Sequence, residues 1–179
     1  MKQMIFTFGM GLLLFGCTTA IQKEEILDRR LDFSKVEQIA FGKATQGEAV
    51  SLFGQPDQII HLKGDLTGKN AWIYNEVNSG QKTERLGLLV DQKTSIVQSA
   101  TWVVREGDTF REKTLVLSHF KGAKFIAKEV GWIAKHYYSD DVVYSDPKSG
   151  LSFYVNGARR SVQSISFASP VPNNLAKNE

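Results

Sequence analysis

Apolar and polar positions along the 179-residue chain fall into stretches of different character. The first is the apolar run Met4–Phe15, broken only by Thr7, Gly9 and Gly11. A helical span of the hydrocarbon core needs about 20 apolar residues, so this run is too short to stay in a membrane as a span. A polar stretch, 18–32, follows it. Helical periodicity then brings Val36, Ile39 and Ala40 to one side of a first short helix, and Ala49, Val50 and Phe53 to one side of a second. Ser34 with Glu37 and Thr45 with Glu48 have the spacing of capping boxes at the two starts. Gly42 and Gly54 stand where the chain must leave each helix, and Pro56 bars continuation of the second. Strand-like segments rich in β-branched and aromatic residues come next, at 58–62, 71–75, 85–90 and 95–104. Turn-forming residues at 63–70 and 75–83 predict surface loops, and Asp91–Thr94 a tight hairpin connection.

A repeat emerges when 86–102 is laid over 151–167. Leu86, Val90, Val97, Gln98 and Ser99 recur as Leu151, Val155, Val162, Gln163 and Ser164 without a gap. Each segment predicts a strand, a turn and a strand. Thr109 and Glu112 have the spacing of a third capping box, ahead of a helical stretch at 111–120, and Tyr74 and Tyr144 fall on comparable strands. Two related halves result, 33–104 and 108–169, each with helix before antiparallel strands. The pattern of 124–138 does not decide between helix and strand, and 170–179 reads as a polar tail.

The lone cysteine changes the picture at the amino end. Lys2, a short apolar centre and the small residue Gly16 fit an export signal cut before Cys17. The order Leu14, Phe15, Gly16, Cys17 resembles the bacterial lipobox, with Phe15 the one departure from it. That resemblance implies a signal peptide over 1–16, a lipid-modified Cys17 bearing palmitate-type chains, and 17–32 as lipidated terminus and tether. Several acyl chains on one residue matter because a single chain anchors only marginally. The rest of the chain holds no cysteine to pair with Cys17, as an exported disulfide protein would need. Thr18 in place of aspartate implies, at the level of such lipoproteins, onward sorting to the outer membrane, facing the periplasm. Losing Lys2 with the signal leaves 21 basic against 19 acidic side chains, a balance that points to no polyanion. The two short helices are too small and too poor in basic residues to read DNA, so nucleic acid is not an expected partner.

With Gly42, Thr45, Gly54 and Pro56 within 39–57, then Trp72, Tyr74 and the strand end Val90–Asp91, the first half resembles the SmpA/OmlA family of BamE-type outer-membrane lipoproteins. The resemblance implies an α+β fold in two layers, a short helical hairpin on a three-stranded antiparallel sheet, repeated in the second half. In tandem, such units resemble the β-lactamase inhibitor protein fold. It also implies backbone-shaping roles for Gly42, Gly54 and Pro56, packing roles for Trp72 and Tyr74, and a non-enzymatic place beside the outer-membrane protein assembly machinery.

Candidate chemistry adds little. Gly64–Asn70 has too few residues between its glycines for a phosphate loop, and Asn70 follows its lysine where that loop needs Ser or Thr. His61, His119 and His136 lack zinc-ligand spacing, and Asp140, Asp141 and Asp146 lack the alternating ligands and terminal glutamate of a calcium loop. No serine elbow or activated cysteine offers a nucleophile. The expectation is therefore a membrane-anchored binding or scaffolding factor without catalytic residues, metal or cofactor. An envelope inhibitor that blocks an enzyme is the alternative. Residues 132–138 and the sheet face around Trp102 are candidate contact patches because Trp and Tyr are enriched at binding hot spots.

Overall fold

The computed structural model describes residues 29–130 and 141–170. Eight strands run through them: β1 (Gln58–His61), β2 (Lys69–Asn78), β3 (Gln81–Asp91), β4 (Val97–Val103), β5 (Ile126–Glu129), β6 (Val142–Asp146), β7 (Leu151–Asn156) and β8 (Ser161–Ala168). All pair antiparallel in one sheet, in the order β1-β2-β3-β4-β8-β7-β6-β5. Three helices, α1 (Phe33–Glu37), α2 (Gln46–Phe53) and α3 (Lys113–His119), supply Val36, Ala49, Phe53 and Val116 to a single core against Trp72, Tyr74, Leu86, Leu88, Trp102, Phe153 and Ile165.

This corrects the expected fold class. A helical hairpin on a three-stranded sheet, built twice, would leave β4 and β8 as long edges with unpaired amides and carbonyls, which invite further pairing. Here the two edges pair with each other over Ser99–Val103 and Ser164–Ala168, and the sheet runs unbroken through both halves. Periodicity shows that a segment is a strand; it does not show which strand lies beside it.

The repeat is visible in the pairing. Leu86, Gly87, Leu88, Leu89 and Val90 of β3 face Trp102, Thr101, Ala100, Ser99 and Val97 of β4. Residues 65 further on pair identically in β7 and β8, from Leu151 with Phe167 to Val155 with Val162. Even the bulge recurs, between Leu89 and Val90 in one hairpin and between Tyr154 and Val155 in the other. The β4–β8 ladder maps onto itself under the same shift, so a local twofold axis passes between Thr101 and Ser166. On the outer strands the match is different from that expected. Trp72 faces Leu88 as Tyr144 faces Phe153, so the counterpart of Tyr144 is Trp72, and that of Tyr74 is Asp146.

Local chemistry sets the element ends. The Thr45–Glu48 capping box closes α2: Thr45 Oγ1 accepts from the Glu48 amide at 3.3 Å, and the Glu48 carboxylate accepts from the Thr45 amide at 2.7 Å. The other two boxes do not form. Asp32, not Ser34, caps α1, accepting from the Ser34 amide at 2.9 Å. Thr109 begins a single 3-10 turn, and α3 starts at Lys113 with no side-chain cap. The predicted loop 75–83 is mostly strand: β2 and β3 meet at a two-residue turn, Ser79 and Gly80, both at positive φ. Its strands escape notice in the sequence because Gln81–Glu84 are exposed on both faces, so no apolar alternation marks them.

Candidate interaction surface

Side chains alternate across a strand, so the residues between the core positions point away from the helices. Registers place one full row of them on that outer face: Gln58, Ile73, Gly87, Thr101, Ser166, Ser152, Ser145 and Ile126, one from each strand. The middle of the row is small and polar, and Thr101 Oγ1 lies 3.1 Å from Ser166 Oγ on the twofold axis. On one side runs a parallel row, Ile60, Ala71, Leu89, Ser99 and Ala168. On the other runs its counterpart, Lys128, Val143, Tyr154, Ser164 and Val103. Of the large apolar members of these rows, Ile73, Leu89, Val103, Val143 and Tyr154 are half-buried, Ile60 and Ile126 are exposed, and none belongs to the core cluster.

The face is therefore a shallow trough of Gly, Ser and Thr between apolar shoulders. With strands about 4.8 Å apart, the central row is roughly 34 Å long, and a flanking row lies about 6.7 Å to either side of it. At the rim, Asp141 accepts from Tyr154 Oη at 2.5 Å, from the Gly157 amide at 2.8 Å and from Asn156 Nδ2 at 3.2 Å. The bond to Asp141, with some burial, raises the Tyr154 pKa, because ionising the phenol would set two anions together.

The residues singled out in the sequence lie elsewhere. Cys17, His136, Asp140 and the 132–138 patch fall outside the described residues. Gly42 has φ +79°, its amide donates to Val97 O at 2.8 Å, and a Cβ there would meet Ser169 Oγ. Gly54 ends α2 at φ +77°, just before Pro56. Trp72 and Tyr74 are core, 6% and 0% exposed, with Phe53 of α2 tilted on Tyr74 at 5.6 Å. Trp72 Nε1 and Tyr74 Oη are buried without a hydrogen-bond partner among the described residues. Burial pushes the Tyr74 phenol up to about 12, with the charges of Arg29 and Asp57 acting in opposite senses. Trp102 is 2% exposed on the inner side, so the face that includes its ring is core.

No group of three His, Cys, Asp or Glu side chains is placed to hold a metal among the described residues. His61 Nδ1 is 2.7 Å from Asn70 Oδ1, and His119 Nε2 is 2.7 Å from Glu37 Oε1, far apart in sequence and in role. Burial alone would raise the Asp146 pKa, yet the carboxylate lies below its ordinary range because it accepts from the amides of Lys124 and Lys148 and from Ser149 Oγ. It shapes the turn into β7. Gly64 and Gly68 both have positive φ in a connection with a single 3-10 turn, Gly64–Leu66, that joins β1 to β2.

One residue carries more than its sequence suggested. Arg85, 7% exposed, donates to both carboxylate oxygens of Asp108 at 2.6 and 2.9 Å and to Val103 O at 2.7 Å, and its guanidinium lies 4.3 Å from the Trp102 ring centre. The Glu76 carboxylate bridges it to Arg105 at 3.4 and 3.5 Å. A strand sequence gives no sign of this, since the partners lie on β2 and in the turn after β4.

No helix among the described residues is long and apolar enough to cross a membrane. No protein-family model matches this sequence, and neither does any curated protein. Two solved structures are similar in outline. A DUF4309 family protein (YjgB) from Bacillus subtilis is 15% identical over 72% of this chain and 80% of that one, with a TM-score of 0.42. A cysteine-rich secretory protein from Staphylococcus aureus is 13% identical over 73% of this chain and 44% of that one, with a TM-score of 0.39. At such identities and scores neither likeness says what this chain does.

Proposed function

We propose that the chain is a lipid-anchored, non-enzymatic binding protein of the outer membrane, and that it engages a periplasm-facing protein partner with the open face of its sheet. The observation that carries the reading is the row through Gly87, Thr101, Ser166 and Ser152: a broad sheet face whose apolar shoulders lie outside the core. Large apolar side chains kept off the core on a contiguous surface mark interaction sites. The lipobox-like Leu14–Cys17 supports the anchor. Residues 18–28 separate Cys17 from Arg29, which pairs with Val77 of the sheet; a linker of that length spans at most roughly 40 Å, which holds the folded part near the bilayer and raises its effective concentration there. A place beside the outer-membrane assembly machinery follows from the SmpA/OmlA resemblance and belongs to the same proposal.

The test is affinity purification from native membranes with Thr101→Arg beside the parent protein. An arginine on the axis should remove the captured partner while the melting temperature stays within a few degrees. Equal recovery by both proteins refutes the open face as the docking surface. Should the captured partner be an envelope enzyme that loses activity on binding, scaffolding gives way to inhibition.

A further inference from the structure

A second site lies on the helical side of the sheet. Where the α1–α2 connection crosses the end of the β7–β8 hairpin, a cleft of about 430 Å³ opens over Phe41, Phe120, Leu151 and Phe167. The rings form one continuous floor: Phe41 stacks on Phe167 at 5.8 Å and Phe120 meets Phe167 edge-on at 6.1 Å. Two charged residues line it, Lys43 and Glu37. They are not equivalent. Glu37 is engaged by His119 Nε2 at 2.7 Å, whereas exposed Lys43 has no ion-pair partner among the described residues. Lys121 follows the floor residue Phe120, and Lys148 precedes Ser149, which also lines the cleft; both lysines are exposed and likewise lack an ion-pair partner there.

We propose that this cleft binds a free fatty acid, with a single acyl chain along the phenylalanine floor and the carboxylate at Lys43. A pocket of a few hundred Å³ with an apolar floor and a few polar groups at its edge, here Lys43, Glu37 and Ser149, has the form of a small-molecule site. The favoured ligand charge is negative, because Lys43, Lys121 and Lys148 stand in or beside the cleft without ion-pair partners among the described residues, against the single carboxylate of Glu37, which is hydrogen-bonded to His119. Its body must be apolar and slender, because three rings, Leu151 and Ile39 make up most of the remaining lining. Charge and shape thus exclude free phosphate, which would leave the floor wet, and a two-chain lipid, which the cleft is too small to hold. The site is separate from the open face and does not depend on it.

Titration calorimetry with laurate, 1-dodecanol and inorganic phosphate, on purified Cys17→Ala protein that carries no lipid of its own, tests the assignment. Laurate should bind at least 10-fold more tightly than the neutral alcohol of the same length, and phosphate not at all. Lys43→Glu should weaken laurate at least 10-fold and leave dodecanol unchanged, a split that general unfolding would not produce. Leu151→Gln should weaken both, with the melting curve recorded alongside, and Thr101→Arg should change neither. Equal binding of laurate and dodecanol, or full laurate affinity in Lys43→Glu, overturns the proposal. So does laurate binding seen only after residues 171–179 are removed, since Pro170 lines the cleft and the occupant would then be the chain's own tail.

Discussion

At the residue scale, the energetic weight sits on buried polar groups. Arg85 is held by Asp108 and Glu76 and lies over Trp102, so Asp108→Asn leaves a buried cation short of its main partner. Removing one member of a buried pair costs about 3 kcal/mol or more, and urea unfolding should read that loss. A change below about 0.5 kcal/mol would mean that the network is ornamental. Tyr74 poses the reverse case, because its hydroxyl is buried with no hydrogen-bond partner among the described residues. Tyr74→Phe should therefore be neutral or stabilising by about 1 kcal/mol. The same residue makes stability depend on pH. Its folded pKa, about 12, lies above the ordinary value of 10, so the neutral phenol favours the fold. That contribution is complete below pH 10 and is lost as pH rises from 10 towards 12. Among the described residues Tyr154 shifts in the same direction, so the parent protein loses stability through both, and Tyr74→Phe keeps only the Tyr154 share of the two. An unfolding series between pH 9 and 12 on the two proteins isolates the Tyr74 share.

At the element scale, punctuation residues were the most legible part of the sequence. Thr45 and Glu48 cap α2 as their spacing implies, and Gly42 and Gly54 both take positive φ. Thr109 with Glu112 has identical spacing and forms no box, because the chain there runs a 3-10 turn before α3. The motif gives a helix start only where the backbone is free to use it. Glycine positions offer a direct comparison. Gly54 and Gly150 have similar positive φ, but a Cβ on Gly54 meets nothing within 4 Å among the described residues, while one on Gly150 falls 2.1 Å from the backbone oxygen of Ala168. Gly54→Ala should cost about 1–3 kcal/mol through backbone strain alone. Gly150→Ala should cost clearly more, because the β7–β8 hairpin must shift, and equal losses in chemical denaturation would contradict that account.

At the scale of the whole molecule, the repeat was readable and the architecture was not. Five identities between 86–102 and 151–167 announced two like hairpins. Nothing in them announced that β4 of one would pair with β8 of the other: on the outer face that ladder is centred on Ser99, Thr101, Ser164 and Ser166, which carry no apolar signature, and its inner pairs, Ala100 with Phe167 and Trp102 with Ile165, would suit any core neighbour. The candidate surface was hidden for the same reason. Aromatic residues drew attention to Trp102 and to 132–138, whereas the open face is centred on Gly, Ser and Thr, and Trp102 lies beneath Phe33 on the other side of the sheet. Small side chains become a site only when strand pairing sets them in a row.

The claim that the open face is the working surface can be read most directly by photo-crosslinking in living cells. A benzophenone amino acid at Thr101, on the twofold axis, is compared with one at Lys93, exposed in the turn between β3 and β4. Position 101 should give one discrete adduct of constant mass, lost when Cys17→Ala removes the proposed lipid anchor, and position 93 should give none. Adducts at 93 with none at 101, or a position-101 adduct that survives the loss of the anchor undiminished, would contradict a membrane-held partner on this face.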